Sequence, residues 1–423
     1  LVGSEMCIRD RLENWIANRE TEQLQYYFKY CYIAINRANT VIDHIQNSSV
    51  LSETARRRIL GEAYFLRAWN YFNLVRTFGI VPVQTKMVAE LSQTTPPMAT
   101  GLDQLYDLIL GDLTRADNLL EVNKVFGRAD KVAAQSLMAK AYLTIASSKE
   151  HNVHRYTEMR REPQIMYDSA AYWAGKVVRD YKNVYDFDTN LRDIYDVDKP
   201  TGPEHIFIMP IDRSGTQEGN YSKLPLLFLP SNNSVPFYIR YGNGDLQRAN
   251  GNGWGVFLCN DEFVETQFST TDKRRTELIH RDIYDASGNP IVPNQVKGYF
   301  SSKYVDPDFI GERTSARPYL IRFSDIALVY AEAAGPEAGL AYVNRIRERA
   351  GVTPLPSGMT TDKFREAVIK ERALELAFEG NRLYDLRRTA SVTTTDIKAA
   401  GLSEAEAAYY PIPQREIDLN PNL

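Results

Sequence analysis

Cysteine and histidine are scarce in this sequence of 423 residues. Its three cysteines lie far apart in the chain, which excludes a disulfide framework and a cysteine-based metal knuckle. Of its five histidines, His151 and His154 have a spacing that suits a metal ion. They stand in a polar stretch with no third ligand nearby, so we interpret them as solvated loop histidines. We therefore predict no metal site and no cofactor.

An excess of one charge and a long apolar run are also missing. Lysine and arginine total 50 and aspartate and glutamate total 54, which gives a formal net charge of −4. A chain so nearly balanced has no overall field that would attract nucleic acid or an anionic membrane. No apolar run approaches the ~18 residues that a membrane-spanning helix requires. With 43% hydrophobic and 25% charged residues, the composition is that of an ordinary globular protein.

Sequence motifs for catalysis are missing as well. The glycines at 242–244 and 251–253 lack the spacing of a dinucleotide-binding loop, and no G-x-S-x-G nucleophile motif occurs. Residues 196–198 begin like a calcium loop, but Pro200 replaces a ligand. We predict that the protein is not an enzyme. A glycoside hydrolase remains an alternative, because its two carboxylates can come from any part of a chain.

The first half of the chain shows the periodicity of paired helices. Leu24, Phe28, Cys31 and Ile35, for example, recur at three- and four-residue steps, as on the buried face of one helix. Successive helices of similar length predict tetratricopeptide-like packing. The predicted helices are 21–45, one capped by Ser52 and Glu53 and ending at Gly79, 102–120, one starting at Asp130, and 167–181.

The second half begins with a different amino-acid composition. Between residues 200 and 318, glycine, proline, asparagine and aspartate are dense, and 205–209 and 237–241 are predicted strands. Helical periodicity then returns, in 324–334, 337–350 and 361–379. We predict a mostly α fold of tetratricopeptide-like helix pairs with a loop-rich, short-stranded insert in the C-terminal half. The predicted regions are 12–199 and 200–423, the latter divided into insert 200–318, helices 319–390 and an irregular tail, all within one compact body.

Several separated blocks of sequence resemble a known family. In chain order they are GEAYFLRAW at 61–69, RADKVAA at 128–134, YLIRFSDIALVYAEA at 319–333, VNRIRERAG at 343–351, IKERALELAFEGNRLYDLRR at 369–388 and YPIPQREIDLNPN at 410–422. These blocks are similar to those of the SusD/RagB family, the surface glycan-binding lipoproteins of the Bacteroidota outer membrane. The resemblance runs from about residue 26 to the end of the chain.

The resemblance implies a function. It implies a non-catalytic oligosaccharide-binding protein that is exposed at the cell surface and anchored in the outer membrane by a lipid. It also implies a partner, a SusC-like TonB-dependent transporter, for which the protein serves as a lid during nutrient uptake. The alternative is a peptide-binding lid of the same architecture.

The start of the chain departs from that family. Residues 1–11 resemble a translated sequencing adapter, and Met6 stands where a lipoprotein cleavage site before Cys7 needs a small residue. We therefore expect an N-terminally truncated reading frame, in which the lipidated cysteine of the family is missing.

The strongest family block contains an acidic stripe. Glu371, Glu375 and Glu379 are four residues apart and share one helix face, and Arg382, Arg387 and Arg388 follow as possible partners. The stripe could be a catalytic acid pair with a cationic clamp. We favour a partly buried ion network that ties the last long helix to the insert, because charges are seldom buried without partners.

A Gly/Asn-rich segment of the insert is the best candidate for ligand binding. A sugar offers an apolar face to an aromatic ring and a hydroxyl rim to amide or charged side chains. Glycines allow the backbone to come close and leave a tryptophan exposed, although the same tryptophan would equally suit a small core within the insert. A second aromatic and amide pair precedes the first helix. The predicted ligand-binding residues are Tyr238, Arg240, Tyr241, Asn243, Asn252 and Trp254, with Trp15 and Asn18 as the second pair. Trp69 and Trp173 lie in helical stripes and are predicted to be core residues.

Overall fold

A computed structural model describes residues 12–214, 221–292 and 296–423. The prediction for residues 1–11, including Cys7, lies outside the described residues. The described chain divides into two units. The first holds residues 12–123, Ala129–Lys176 and Leu383–Leu423, and the second holds Lys124–Arg128 and Val177–Arg382. The boundary at residue 200 and the single compact body remain predictions.

The first unit is built from long helices whose ends follow from local sequence. They are α1 (Glu22–Ile45), α2 (Glu53–Phe78), α3 (Leu102–Leu119), α4 (Lys131–Glu150) and the start of α5 (Pro163–Asp180). The Ser52 hydroxyl accepts the Ala55 amide at the start of α2, and α2 ends at Gly79, whose φ is +76°. Asp130 caps α4 in the same way.

Consecutive helices of this unit pack on one another, α1 on α2, α2 on α3 and α3 on α4. A buried polar contact joins the first three. Arg67 of α2 donates to both carboxylate oxygens of Asp112 on α3, at 2.7 and 2.8 Å, and to the side-chain oxygen of Asn39 on α1 at 2.8 Å. A bidentate pair of this kind satisfies the buried guanidinium and carboxylate together.

One helix of this unit begins earlier than predicted. The sequence predicts this helix over 167–181, but α5 begins at Pro163. Proline fits the first turn of a helix because its missing N–H would have no partner there. The unit is completed by α12 (Arg382–Arg388), α13 (Val392–Thr395), α14 (Glu404–Ala408) and α15 (Gln414–Leu419).

The second unit combines three small antiparallel sheets with helices. The sheets pair β1 (His205–Ile208) with β6 (Tyr319–Arg322), β2 (Phe237–Arg240) with β3 (Leu246–Ala249), and β4 (Ile279–His280) with β5 (Phe300–Ser301). The sequence did not predict its three short helices, α6 (Leu224–Phe228), α7 (Asp261–Gln267) and α8 (Lys273–Glu277). The long helices are α9 (Phe323–Ala334), α10 (Pro336–Arg349) and α11 (Thr361–Glu375).

The predicted fold class is confirmed. Across the described residues, fifteen α-helices stand against six strands of two to four residues. In addition, no helix of the described chain has the length and apolar character needed to cross a membrane.

A buried ion network forms the centre of the second unit. Glu375, at the end of α11, accepts hydrogen bonds from Arg274 at 3.2 Å, Arg322 at 2.9 Å and Arg349 at 2.8 Å. The network also joins β6 and α10 to the segment before β1, through Glu204. Its cations are Arg274, Lys303, Arg322, Arg347 and Arg349, and its carboxylates are Glu204, Asp272, Glu371, Glu375 and Glu379.

The interpretation of the acidic stripe as an ion network is confirmed. The sequence did not predict the cations of residues 274–349 that pair with it. Of the predicted partners, Arg387 bonds to the carbonyls of Arg76 and Thr77. Arg388 instead pairs with Asp385 at 2.9 Å. Sequence spacing showed that the carboxylates share a face, but it did not show which distant cations the fold brings to them.

The helix that carries the stripe ends earlier than predicted. It was expected to reach residue 379, but α11 ends at Glu375. The Glu375 carbonyl, which the Glu379 amide would use in a continued helix, accepts instead from Arg322 at 2.8 Å and Lys303 at 3.1 Å. Phe378 then adopts a positive φ of 67°. The Glu379 side chain turns to the same cations and pairs with Lys303 at 2.6 Å.

The network keeps its carboxylates ionised despite their burial. Burial opposes ionisation of Glu375, but Arg349, Arg322 and Arg274 outweigh it and lower the pKa of this carboxyl. Burial also opposes ionisation of Glu204. Arg349 and Arg322 outweigh it, so the pKa of the Glu204 carboxyl lies well below its usual value. A carboxyl whose pKa is lower in the folded state than in the unfolded state stabilises the fold. Its contribution is fully present at pH values above the ordinary glutamate pKa. That stabilisation is lost as the pH falls towards the folded value.

We expect Glu375→Gln to destabilise the protein strongly at neutral pH. The substitution leaves three buried guanidinium groups short of one negative charge, so the free energy of unfolding should fall by about 3–5 kcal/mol at pH 7. The deficit should shrink below pH ~4.3, where wild-type stability itself begins to decline. Urea unfolding at pH 7 and at acid pH measures both effects. Glu348→Gln, at an exposed position of α10, is the control, and equal stability of both variants at pH 7 would contradict the role of the network.

Candidate functional site

The candidate ligand surface is centred on Trp254, which follows β3 in the second unit. Its side chain is 45% exposed, so the interpretation of this residue as a buried core residue is wrong. The backbone beneath it is fixed, because the Trp254 amide donates to the carbonyl of Leu226 in α6 at 2.6 Å. A large apolar ring is thus held at the surface with an open face.

Glycines on either side of the tryptophan allow this placement. A Cβ on Gly253 would lie 2.1 Å from the Leu229 carbonyl oxygen, and one on Gly251 would lie 2.0 Å from the Val235 carbonyl oxygen. Such separations are impossible for a real Cβ, so only glycine permits this backbone approach. Gly255, with a φ of +57°, then turns the chain away. The segment is therefore seated against residues 229–235 rather than loose.

Polar groups border the exposed ring. The Lys223 ammonium lies 5.8 Å from the Trp254 ring centroid, within the range of a cation–π contact. Lys223 also pairs with Glu312 at 3.4 Å. The Asn252 side chain is exposed, and its amide donates to Asn250 at 2.8 Å, which leaves its carbonyl oxygen for another donor. An aromatic face with charged and amide groups around it suits a ligand with one apolar face and a polar rim.

Three of the other predicted residues of this segment lie at the far end of the β2–β3 hairpin. Phe237 pairs with Ala249 beside the Trp254 segment, and Arg240 pairs with Leu246 beside the turn. At ~3.4 Å per residue, the length of the strands separates these two ends. The structure therefore brings Asn252 and Trp254 together and places Arg240, Tyr241 and Asn243 elsewhere.

Two of the hairpin residues contact the segment that follows residue 280. Tyr238 exchanges backbone hydrogen bonds with Tyr284, at 2.8 and 2.9 Å. The Arg240 guanidinium lies 4.3 Å from the Tyr284 ring centroid and donates to the Gly288 carbonyl. Tyr238 is half-buried, whereas Arg240 is exposed. Because buried and more exposed positions alternate along β2, both side chains lie on the outer face of that strand.

Tyr241 and Asn243 bond within the turn of the hairpin. Tyr241 is only 6% exposed, its hydroxyl donates to Gln247, and burial raises the pKa of its phenol to about 12. The Arg192 guanidinium covers its ring at 4.5 Å. The exposed Asn243 donates to Asp245 at 2.6 Å. Tyr241 therefore offers no free face to a ligand, contrary to its prediction as a ligand-binding aromatic.

Trp15 and Asn18 belong to the first unit. The Trp15 indole N–H donates to Asp396 at 2.8 Å, and its ring stacks on Tyr410 with centroids 6.4 Å apart. The exposed Asn18 accepts the Glu20 amide at 3.0 Å in the turn before α1. Trp15 thus attaches the chain ahead of α1 to the C-terminal segment. Its indole N–H is already hydrogen-bonded to Asp396.

The two tryptophans predicted as core residues are only half-buried. Trp69 stacks on Phe65, with ring centroids 6.2 Å apart. Trp173 has its neighbour Tyr172 edge-on at 5.1 Å and the Lys176 ammonium at 5.2 Å. Neither side chain is buried in the core, contrary to the prediction.

Metal-ligating side chains do not converge in the described parts of the chain. There, no group of three or more His, Cys, Asp or Glu side chains is arranged to hold a metal ion. His151 contacts the Ser147 carbonyl at 2.8 Å, and the His154 ring packs near Tyr409. His280 is fully buried, which lowers its pKa to about 3, and it contacts the Ser302 hydroxyl at 3.1 Å. It is therefore a neutral core residue.

Comparison with known families identifies the chain. Residues 281–423 match the model of the SusD family, and residues 5–143 match a family described as starch-binding and associating with the outer membrane. The chain belongs to the SusD/RagB family. The SusD-like protein P2 of Formosa agariphila is 24% identical over 411 residues, which cover 90% of this chain and 74% of that protein. The family description supports an outer-membrane location.

Solved structures agree on the fold of this SusD/RagB protein. A SusD superfamily protein from Parabacteroides distasonis has a TM-score of 0.80 at 22% identity and covers 98% of this chain and 88% of its own. A laminarin-binding SusD-like protein has a TM-score of 0.76 at 22% identity, with 97% and 87% covered. A structure determined with xylogluco-oligosaccharide has a TM-score of 0.76 at 19% identity, with 97% and 89% covered. At such identities the likeness establishes the fold.

Sequence reasoning missed the cation beside the exposed tryptophan. Lys223 stands 31 positions before Trp254 and precedes a short apolar helix, so no motif or spacing links the two. The contact arises because Leu226 of α6 accepts the Trp254 amide and thereby brings the start of that helix to the ring. Only the tertiary structure shows this.

We expect Gly253→Ala to destabilise the protein and displace the Trp254 segment. The added methyl group would overlap the Leu229 carbonyl, and the required backbone shift should lower the free energy of unfolding by about 1–3 kcal/mol. Urea unfolding measures the loss. Gly401→Ala is the matched control, because a Cβ there meets no atom within 4 Å. If the two variants are equally stable, the close seating of the segment is wrong.

Proposed function

We propose that this SusD/RagB protein is a non-catalytic glycan-binding protein of the outer membrane, exposed at the cell surface and anchored there by a lipid. It captures an oligosaccharide and passes it to a SusC-like TonB-dependent transporter, for which it acts as a lid. The observation that carries this proposal is the exposed Trp254 ring, held open on a seated backbone with Lys223 and Asn252 beside it.

The chemistry of this surface favours a sugar. An exposed indole binds the C–H face of a pyranose, and the nearby ammonium and amide groups can bond to ring hydroxyls. The surface is shallow and has few polar contacts, so we expect weak binding, which suits a receptor that releases its cargo. The relatives support this ligand class, since one neighbour in fold is a laminarin-binding protein and another was determined with xylogluco-oligosaccharide.

A peptide is the second candidate ligand. A peptide receptor would bond mainly to the peptide backbone and would not require a large exposed indole. A glycoside hydrolase is less well supported, because the most prominent group of carboxylates, including Glu371 and Glu375, is buried and fully paired with arginines. Such groups cannot reach a substrate in this conformation.

We expect Trp254→Ala to weaken glycan binding by about tenfold. Loss of the stacking face removes roughly 1.4 kcal/mol, which corresponds to a factor of ten in the dissociation constant. Isothermal titration with laminari-, xylogluco- and malto-oligosaccharides measures the affinity. Tyr172→Ala is the matched control, because this ring is 54% exposed on α5.

The competing ligands give different outcomes in the same titration. Binding of mixed short peptides, unchanged by Trp254→Ala, would replace the glycan proposal by the peptide one. Release of reducing ends from any of the oligosaccharides, abolished by substitution of one carboxylate, would make the protein an enzyme.

We also expect the protein to copurify with a SusC-like TonB-dependent transporter. A lid must stay in contact with the transporter through cycles of opening, so the two should form a stable complex in detergent. Affinity purification of the transporter from outer membranes, followed by mass spectrometry, tests the partnership. A transporter that is recovered without this protein would contradict it.

A further inference from the structure

A small cavity in the first unit lies where α2, α4 and α12 meet. Its volume is about 20 Å³, enough for one water-sized or monoatomic species. Arg76 comes from α2, Ser148 from α4, Tyr384 and Arg387 from α12, and Tyr409 from the end of α14. None of the residues that line it is an aspartate or a glutamate.

Arg387 is a buried cation without a counter-charge in this cavity. Its side chain is 5% exposed, and Nη1 makes only long contacts to the carbonyls of Arg76 and Thr77, at 3.3 and 3.4 Å. Its Nε and Nη2 have no hydrogen-bond acceptor in the described part of the protein. The guanidinium lies 4.3 Å from the Tyr410 ring centroid. A buried charge left in this state costs several kcal/mol unless an anion satisfies it.

A second guanidinium lines the same cavity. Arg76 is held between the rings of Phe72 and Tyr384, at 4.1 and 3.9 Å from their centroids. Its Nη2 donates to Asn73 at 2.6 Å, while its buried Nε has no acceptor among the described residues. Two cations therefore line one cavity, and three of their nitrogens have no hydrogen-bond acceptor among the described residues.

We propose that this cavity binds a small inorganic anion of the size of chloride, held by Arg76 and Arg387. A water molecule would accept two of the free N–H bonds, but it would leave both positive charges uncompensated. A halide ion fits the volume of about 20 Å³. Burial lowers the pKa of Arg387, in keeping with a site that lacks a negative side chain. The anion would fasten α12 to the end of α2, so it would act as a structural component of the first unit.

The test is the thermal stability of the full chain in chloride-free buffer. Sodium chloride or sodium bromide should raise the Tm in a saturable way when it replaces sodium gluconate at constant ionic strength. Sodium gluconate alone should not raise the Tm. Arg387→Met should abolish the halide dependence. Arg58→Met, at an exposed position of α2, should retain it.

A crystal soaked in sodium bromide provides a second measurement, which applies even if Arg387→Met does not fold. An anomalous bromide peak in hydrogen-bond contact with Arg387 and Arg76 would support the proposal. Ordered water only at that position, or a Tm that does not respond specifically to halide, would overturn it. Neither result bears on glycan binding, which the Trp254 titration tests in the other unit.

Discussion

The second unit depends on the pairing of Glu375 with three arginines that come from separate elements. Its carboxylate receives Arg274 from α8, Arg322 from the β6 end and Arg349 from α10. In a poorly polarisable interior, the electrostatic free energy gained by such pairing must exceed the free-energy cost of desolvating every charged group. This happens only when nearly all N–H donors are hydrogen-bonded. The network also ends α11, because its cations take the carbonyl that another helical turn would need.

This constraint explains how a loop-rich insert presents an ordered surface. Segments with short strands bury little apolar area and cannot fix their own geometry. Here α8, β6 and α11 are tied together by charge, and the Trp254 segment is seated on α6 and residues 229–235 by close glycine contacts. The backbone that carries the exposed ring is therefore already ordered, and preorganisation of this kind would favour affinity for a ligand from a small contact area.

Charge is handled differently in the first unit. Arg67 and Asp112 form a bidentate buried pair, whereas Arg387 is buried against aromatic rings without a carboxylate. Arg387 stands in the family block at 369–388, just after the predicted end of a charged helix. From sequence alone, the arginines of this block were expected to pair with the acidic stripe. The acidic stripe is satisfied within the second unit and Arg388 is paired with Asp385, whereas Arg387 is the cation for which we propose an anion.

The sequence by itself determined the long helices, several of their ends and the family. Periodicity and capping depend on residues within a few positions of each other, so Ser52, Gly79 and Asp130 marked helix ends correctly. It also singled out Trp254, since glycines beside a tryptophan are a local signal. Tertiary structure alone decided that Lys223 borders that ring, that Tyr241 is covered by Arg192, and that Glu375 meets Arg274, Arg322 and Arg349. These contacts join residues tens of positions apart, and their partners are chosen by packing and desolvation across the whole unit, which no local pattern records.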